Sequence, residues 1–158
     1  MYYKAYIQPH LDFCNIVWGG TKSTNLIKLC RLQKRACKTI FGQDYTSVPH
    51  AMEIMNSLNI HDRIILQKAK FMYKVSKGLV PGYITDMFKK DIKNYTNLRT
   101  SNTINFTIPR PRLEQFKESI SYSGPSIWNK IPQSIRLMNQ LKALLHILYD
   151  GLSLKGKT

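Results

Sequence analysis

Negative charge is scarce in this sequence. Nine Asp and Glu stand against 24 Lys and Arg, giving a formal net charge of +15 and an isoelectric point of about 9.9. The carboxylates (Asp12, Asp44, Glu53, Asp62, Asp86, Asp91, Glu114, Glu118 and Asp150) are scattered. None forms the neighbouring acidic set with which two-metal phosphoryl transfer holds its ions, which argues against that chemistry. Long apolar runs are also missing: no stretch approaches the roughly 18 residues of a membrane span. The opening MYYKAYIQPHLDFC has polar residues and a proline where a signal peptide needs its apolar stretch. The expectation is an intracellular chain, cytoplasmic or nuclear, with no membrane partner.

Cysteine is sparse too. Cys14, Cys30 and Cys37 are an odd, scattered set without a C-x-x-C, and His10, His50, His61 and His146 stand at no ligand spacing to them. Cys30 and Cys37 are expected on one helix, where about 10 Å of rise keeps them from a disulfide. They read as reduced core cysteines. No phosphate-cradling glycine loop, G-x-S-x-G elbow or H-E-x-x-H occurs. No catalytic residue, metal, cofactor or small-molecule substrate is therefore expected.

What is present is apolar periodicity and basic charge. With 158 residues and 43% hydrophobic content, the chain can bury the core of one ordinary domain, taken as residues 1–158. The basic excess is spread evenly, 7 to 2 over residues 1–50, 9 to 4 over 51–100 and 8 to 3 over 101–158, so the folded surface itself should be basic. Such a surface suits a polyanion, because each phosphate neutralised by Lys or Arg releases condensed counterions.

Helical spacing dominates. A first segment, 2–18, is interrupted by Pro9. Ser23 or Thr24 can cap a helix running to Phe41 and stopped by Gly42. On it Leu26, Leu29, Cys30, Ala36, Cys37 and Ile40 share one side, while Lys28, Arg31, Lys34, Arg35 and Lys38 fill a sector of about 120° opposite. Ser47 and Pro49 open a short helix to about Leu58, closed by Asn59. The next helix, 61–77, ends at Gly78 and stacks Arg63, Lys70, Lys74 and Lys77 into a stripe of about 60° on an otherwise apolar surface. Pro81 begins one more short helix.

Residues 89–102 read as a loop carrying Lys89, Lys90 and Lys93. The alternation in 103–108 and a second run near 116–122 predict an antiparallel β-hairpin over 103–122. Around Trp128 a helical turn is expected, and then a closing amphipathic helix with Leu141, Leu144, Leu145, Leu148 and Leu152 on its buried side. The expected fold is mainly α, five to seven helices with that one hairpin.

The basic faces have two readings each. A phosphate-tracking face and the solvated side of a surface helix look alike in sequence, since Lys and Arg are good helix formers and belong outside. Arg110 and Arg112, alternating with Pro109 and Pro111, fit either an exposed basic turn or a connection without function. Trp18 and Trp128 lie among apolar neighbours and read as core in preference to base-stacking platforms.

The order of segments resembles a known family. Ile7-Gln8-Pro9-His10-Leu11-Asp12-Phe13-Cys14-Asn15-Ile16-Val17-Trp18-Gly19 is similar to the "PHLDYC…VWG" block that follows the polymerase core in jockey-like reverse transcriptases of non-long-terminal-repeat retrotransposons. Residues 28–40 (KLCRLQKRACKTI) resemble their "KLQ-x-RA-x-R-I" helix. MYKV at 72–75 with GLVP at 78–81, NLR at 97–99, IPRPR at 108–112 and SYSGPSIWNKIP at 121–132 resemble the later blocks in order. The match covers nearly the whole chain.

The resemblance implies a C-terminal segment of an RNA-directed DNA polymerase. The family's palm motif (tyrosine, any residue, aspartate, aspartate) is missing, since no Asp-Asp pair occurs. Its endonuclease domain has no counterpart here. The expectation is a truncated, non-catalytic fragment that contacts RNA or DNA weakly and without strong sequence preference. The alternative is a packing segment that docked on the absent polymerase core and has no activity of its own.

Overall fold

The computed structural model describes residues 2–90 and 105–136. These residues are mainly helical, as the periodicity predicts. They contain nine α-helical segments, more than the five to seven expected because short turns are resolved as separate elements. In order they are α1 (Gln8–Asp12), α2 (Asn15–Trp18), α3 (Ser23–Phe41), α4 (Val48–Ile54), α5 (Ile60–Ser76), α6 (Gly82–Thr85), α7 (Glu114–Glu118), α8 (Ile120–Lys130) and α9 (Gln133–Arg136). A π-helical turn, Tyr3–Ile7, leads into α1. No described helix is long and apolar enough to cross a membrane. The closing leucine-rich helix and most of the 89–102 loop fall outside the described residues.

Two compact units are distinguished, the division falling inside α5. The first comprises residues 2–66. Pro9 falls where the π-helical turn passes into α1, and the chain bends only further on, at Phe13 (ψ 117°) and Cys14 (φ 50°), before α2. Lys22, and neither Ser23 nor Thr24, occupies the N-cap of α3. The helix ends at Gly42, whose φ of 55° and ψ of −119° suit glycine alone. Ser47 caps α4 as expected by accepting from the His50 N–H.

The end of α4 differs from expectation. Asn56 turns left-handed (φ 47°) and stops it early, leaving Asn59 to open α5. The Asn59 Oδ1 accepts from the Asp62 N–H at 2.9 Å, while the Asn59 Nδ2 donates to Asp62 Oδ2 at 2.6 Å. This reciprocal cap satisfies an N–H that the first turn would otherwise leave orphaned. Tyr3, Cys37, Ala51 and Met52 form the core of this unit, with Ile7, Leu11, Phe41, Tyr45, Val48 and Met55 packed around them.

The second unit comprises residues 67–90 and 105–136. Its core is a chain of aromatic rings, Phe71, Phe88, Phe106 and Trp128, meeting edge to face with centroids 5.9, 6.3 and 6.3 Å apart. Trp128 is buried, as its apolar neighbours predict.

The hairpin does not form. Its proposed second strand is helical, lying in α7 and α8, and no strand occurs among the described residues. Lys117 pairs with Glu114 one turn away, and the buried Gly124, Pro125 and Trp128 of α8 hold that segment to the core even though Pro125 deletes a helical donor. The alternation around Phe106 has another cause. An isolated antiparallel bridge joins Phe106 to Lys90, and on its other edge the Asn129 side chain takes the place of a strand. The Phe106 N–H donates to Asn129 Oδ1 at 3.1 Å, and its carbonyl accepts from Asn129 Nδ2 at 2.9 Å.

Candidate nucleic-acid interface

A helix can offer charge outward only if another face anchors it, and α3 does so through an unusual group. Gln33, 2% exposed, lies in the middle of the apolar sector. Its Nε2 donates to the Tyr3 hydroxyl at 2.7 Å and to the Leu58 carbonyl at 3.4 Å, while its Oε1 accepts from the Ile60 N–H at 3.2 Å. One amide thus ties α3 to the N-terminal turn and to the start of α5, and satisfies a first-turn N–H of that helix. Cys37, one turn further along, is fully buried, and burial pushes its thiol pKa up. Burial likewise raises the pKa of the Tyr3 hydroxyl, an effect partly offset by the bond from Gln33.

With that side fixed, Lys28, Arg31, Lys34, Arg35 and Lys38 are all exposed on the opposite side. They extend over about 15 Å of helix axis at 1.5 Å per residue. No acidic residue occurs between Ser23 and Phe41, so nothing on the helix offsets the field. Lys38 also reaches over the Tyr45 ring, 5.7 Å from its centroid. Ile27 and Leu32 are exposed on the same helix, and so is Ile40, which the periodicity places on the buried side.

The stripe on α5 is divided. Arg63 turns to Asp12, its Nη2 donating to Oδ2 at 2.5 Å and its Nε to Oδ1, and its side chain is only 11% exposed. This ion pair fastens α5 to the end of α1 and withdraws the guanidinium from any phosphate. Lys70 and Lys74 are half-buried, while Lys77 is exposed with its ammonium 5.8 Å from the Tyr73 ring centroid. Lys89 and Lys90 are exposed; Lys93 lies outside the described residues. Arg110 and Arg112 are exposed on an irregular segment beside two prolines.

A third lysine of α5 escapes the sequence pattern. Lys68 is 5% exposed and donates to Ser123 Oγ at 2.9 Å, and that hydroxyl in turn donates to the Ser119 carbonyl. Desolvation lowers its pKa, with Glu118 pulling weakly the other way. Projection at about 100° per residue puts it roughly 140° from Arg63, among Ile64, Met72 and Val75. That position was the available signal. Gln33 carried a comparable one, a polar residue inside an apolar sector.

Cys30 Sγ lies 3.4 Å from His61 Nε2, joining α3 to α5, and burial raises the thiol pKa. Among the described residues no three His, Cys, Asp or Glu come together to hold a metal. The Trp18 indole, half-buried, donates to the Phe13 carbonyl at 2.6 Å and so braces the bend before α2. Compared with family models, curated proteins and solved structures, the chain matches none of them.

Proposed function

We propose that this chain is a non-catalytic, nucleic-acid-contacting module of the kind that follows the polymerase core in jockey-like retrotransposon reverse transcriptases. In this reading α3 tracks phosphates of RNA or DNA without strong sequence preference. One observation carries it: five exposed cations share one side of a helix that holds no acid, while the other side is locked by Gln33 and Cys37. Lys and Arg at the spacing of successive helical turns can each meet a phosphate, and contacts to phosphate position a protein on nucleic acid without carrying sequence information. Affinity would then come from counterion release and fall steeply with salt.

The test is binding of the intact chain to mixed-sequence single- and double-stranded oligonucleotides across a salt series. The proposal expects a linear log–log decline with a slope of about −0.9 per phosphate neutralised on duplex and about −0.7 on single strand. Absence of binding at low salt would favour the alternative, a packing segment that docked on a polymerase core. That alternative draws on the exposed apolar residues Phe13, Val17, Leu79, Tyr83 and Met87, which a larger body could cover.

A further inference from the structure

On the second unit, the run Ile108-Pro109-Arg110-Pro111-Arg112 is neither helix nor strand, yet it is held at both ends. Before it, buried Phe106 is fastened by Asn129 on both backbone groups, and the Thr107 N–H donates to the Lys89 carbonyl at 2.8 Å. After it, the Leu113 carbonyl accepts from the Phe116 N–H at 3.1 Å, and Leu113 itself is extended (φ −115°, ψ 138°). Between these anchors the two prolines fix φ at about −65° and keep Ile108 and Arg110 out of the helical region. Pro109 and Pro111 are half-buried, while Arg110 and Arg112 are exposed. No acid occurs from Asn105 to Leu113, and Glu114, the next one along, is held by Lys117 at 2.5 Å. Among the described residues neither guanidinium meets a carboxylate. The segment also starts beside exposed Lys89 and Lys90, which the Phe106–Lys90 bridge and the Thr107 bond bring to it.

We propose that Arg110 and Arg112 clasp the phosphodiester backbone of a nucleic acid as a pre-ordered pair, a second contact separate from α3. This rests on the reading of the chain as a nucleic-acid-contacting module. An exposed extended segment can also add a strand to a partner's sheet, but Pro109 and Pro111 lack the N–H groups that such a ladder needs. A guanidinium grips two phosphate oxygens at once through its planar fork, whereas an ammonium meets phosphate as a point charge. Because prolines and anchors already hold the backbone, little ordering entropy is lost when a ligand arrives. Arg63 shows the contrast, since its fork is closed on Asp12.

The experiment measures binding of the full chain to a mixed-sequence DNA duplex across a salt series. Wild type is compared with Arg110→Gln combined with Arg112→Gln, and with Arg110→Lys combined with Arg112→Lys. The Gln pair is expected to weaken binding and flatten the log–log slope by about 0.9 for each phosphate left unneutralised, up to two. The Lys pair should keep the wild-type slope, because both charges remain, yet bind roughly 3- to 10-fold more weakly once the fork is gone. Circular dichroism checks that both variants keep the wild-type helix content, as their exposed positions imply. Unchanged affinity and slope in the Gln pair overturns the clasp. A Lys pair that binds as tightly as wild type would reduce the segment to diffuse charge and overturn the two-oxygen grip. Replacing Arg31, Lys34 and Arg35 by Gln separates the two contacts. If only that variant flattens the slope, the α3 face stands without the clasp; if only the Arg110 and Arg112 Gln pair does, the clasp stands and the α3 face falls. No binding by the wild type at low salt removes both together.

Discussion

Helices α3 and α5 have nearly equal length, 19 and 17 residues, and similar basic content, yet they use their charge in opposite ways. In α3 the cations all face water and a buried glutamine does the fastening. In α5 Arg63 is spent on Asp12, Lys68 is buried against Ser123, and Lys70 and Lys74 are half-covered. By charge alone the two look like equivalent candidates for a polyanion. The distinction comes from partners: α3 has no acid of its own and its basic side faces water, whereas a carboxylate from α1 and a serine from α8 meet α5. The physical rule is that a cation contributes to an external field only where no internal group has already compensated it.

The sharpest way to break this contrast is at the ion pair. Asp12→Ala should cost about 2–3 kcal/mol, at or below the lower end for breaking a buried pair because Asp12 keeps some exposure to water. Replacing Arg63 by Met in the same chain should recover most of that stability, and chemical denaturation measures both. Recovery would show that Arg63 is structural; a freed Arg63 that instead leaves stability intact would return it to the surface stripe.

Gln33→Leu comes next. It leaves the Ile60 N–H and the Tyr3 hydroxyl without partners, so about 2 kcal/mol of destabilisation is expected from one or two unsatisfied groups. A neutral result would mean that α3 is held by apolar packing alone.

Lys68→Met should act in the other direction, stabilising by about 1 kcal/mol, since an apolar side chain of similar length removes a buried charge. The pH dependence has a definite sign. The folded-state pKa of Lys68 is lowered, so the burial penalty is fully present below that pKa and disappears as pH rises through the unfolded value, about 10.4. The advantage of the Met variant over wild type should therefore shrink between neutral and alkaline pH. An advantage that grows with pH would contradict the burial.

Much of the helical framework was legible because it depends on local signals. Ser47 and Pro49 announce α4, Gly42 and Gly78 stop α3 and α5, and the 3.6-residue spacing locates the α3 basic sector correctly. What was not legible depends on partners distant in sequence. The 103–122 hairpin failed because alternation at Phe106 reports one bridging residue and an asparagine side chain 23 positions away, which mimics the hydrogen bonds of a strand. Asn59 looks the same at the end of one helix as at the start of the next, and only the early turn at Asn56 decides between them. The burial of Arg63, Lys68 and Gln33 likewise rests on Asp12, Ser123 and Tyr3, which lie 51, 55 and 30 residues away along the chain.

The smallest expected effect on stability gives the most direct test of the central claim. Arg31, Lys34 and Arg35 on α3, replaced together by Gln, should leave stability within about 0.5 kcal/mol, since they are surface positions and Gln keeps helix propensity. The measurement is the salt dependence of duplex binding for this variant beside one with Lys70 and Lys74 replaced by Gln on α5. The account predicts that the α3 variant weakens binding to every sequence and flattens the log–log slope by about 0.9 for each phosphate left unneutralised, up to three, while the α5 variant keeps the wild-type slope. An α3 variant with unchanged slope and affinity, or an α5 variant whose slope flattens as much, would contradict it.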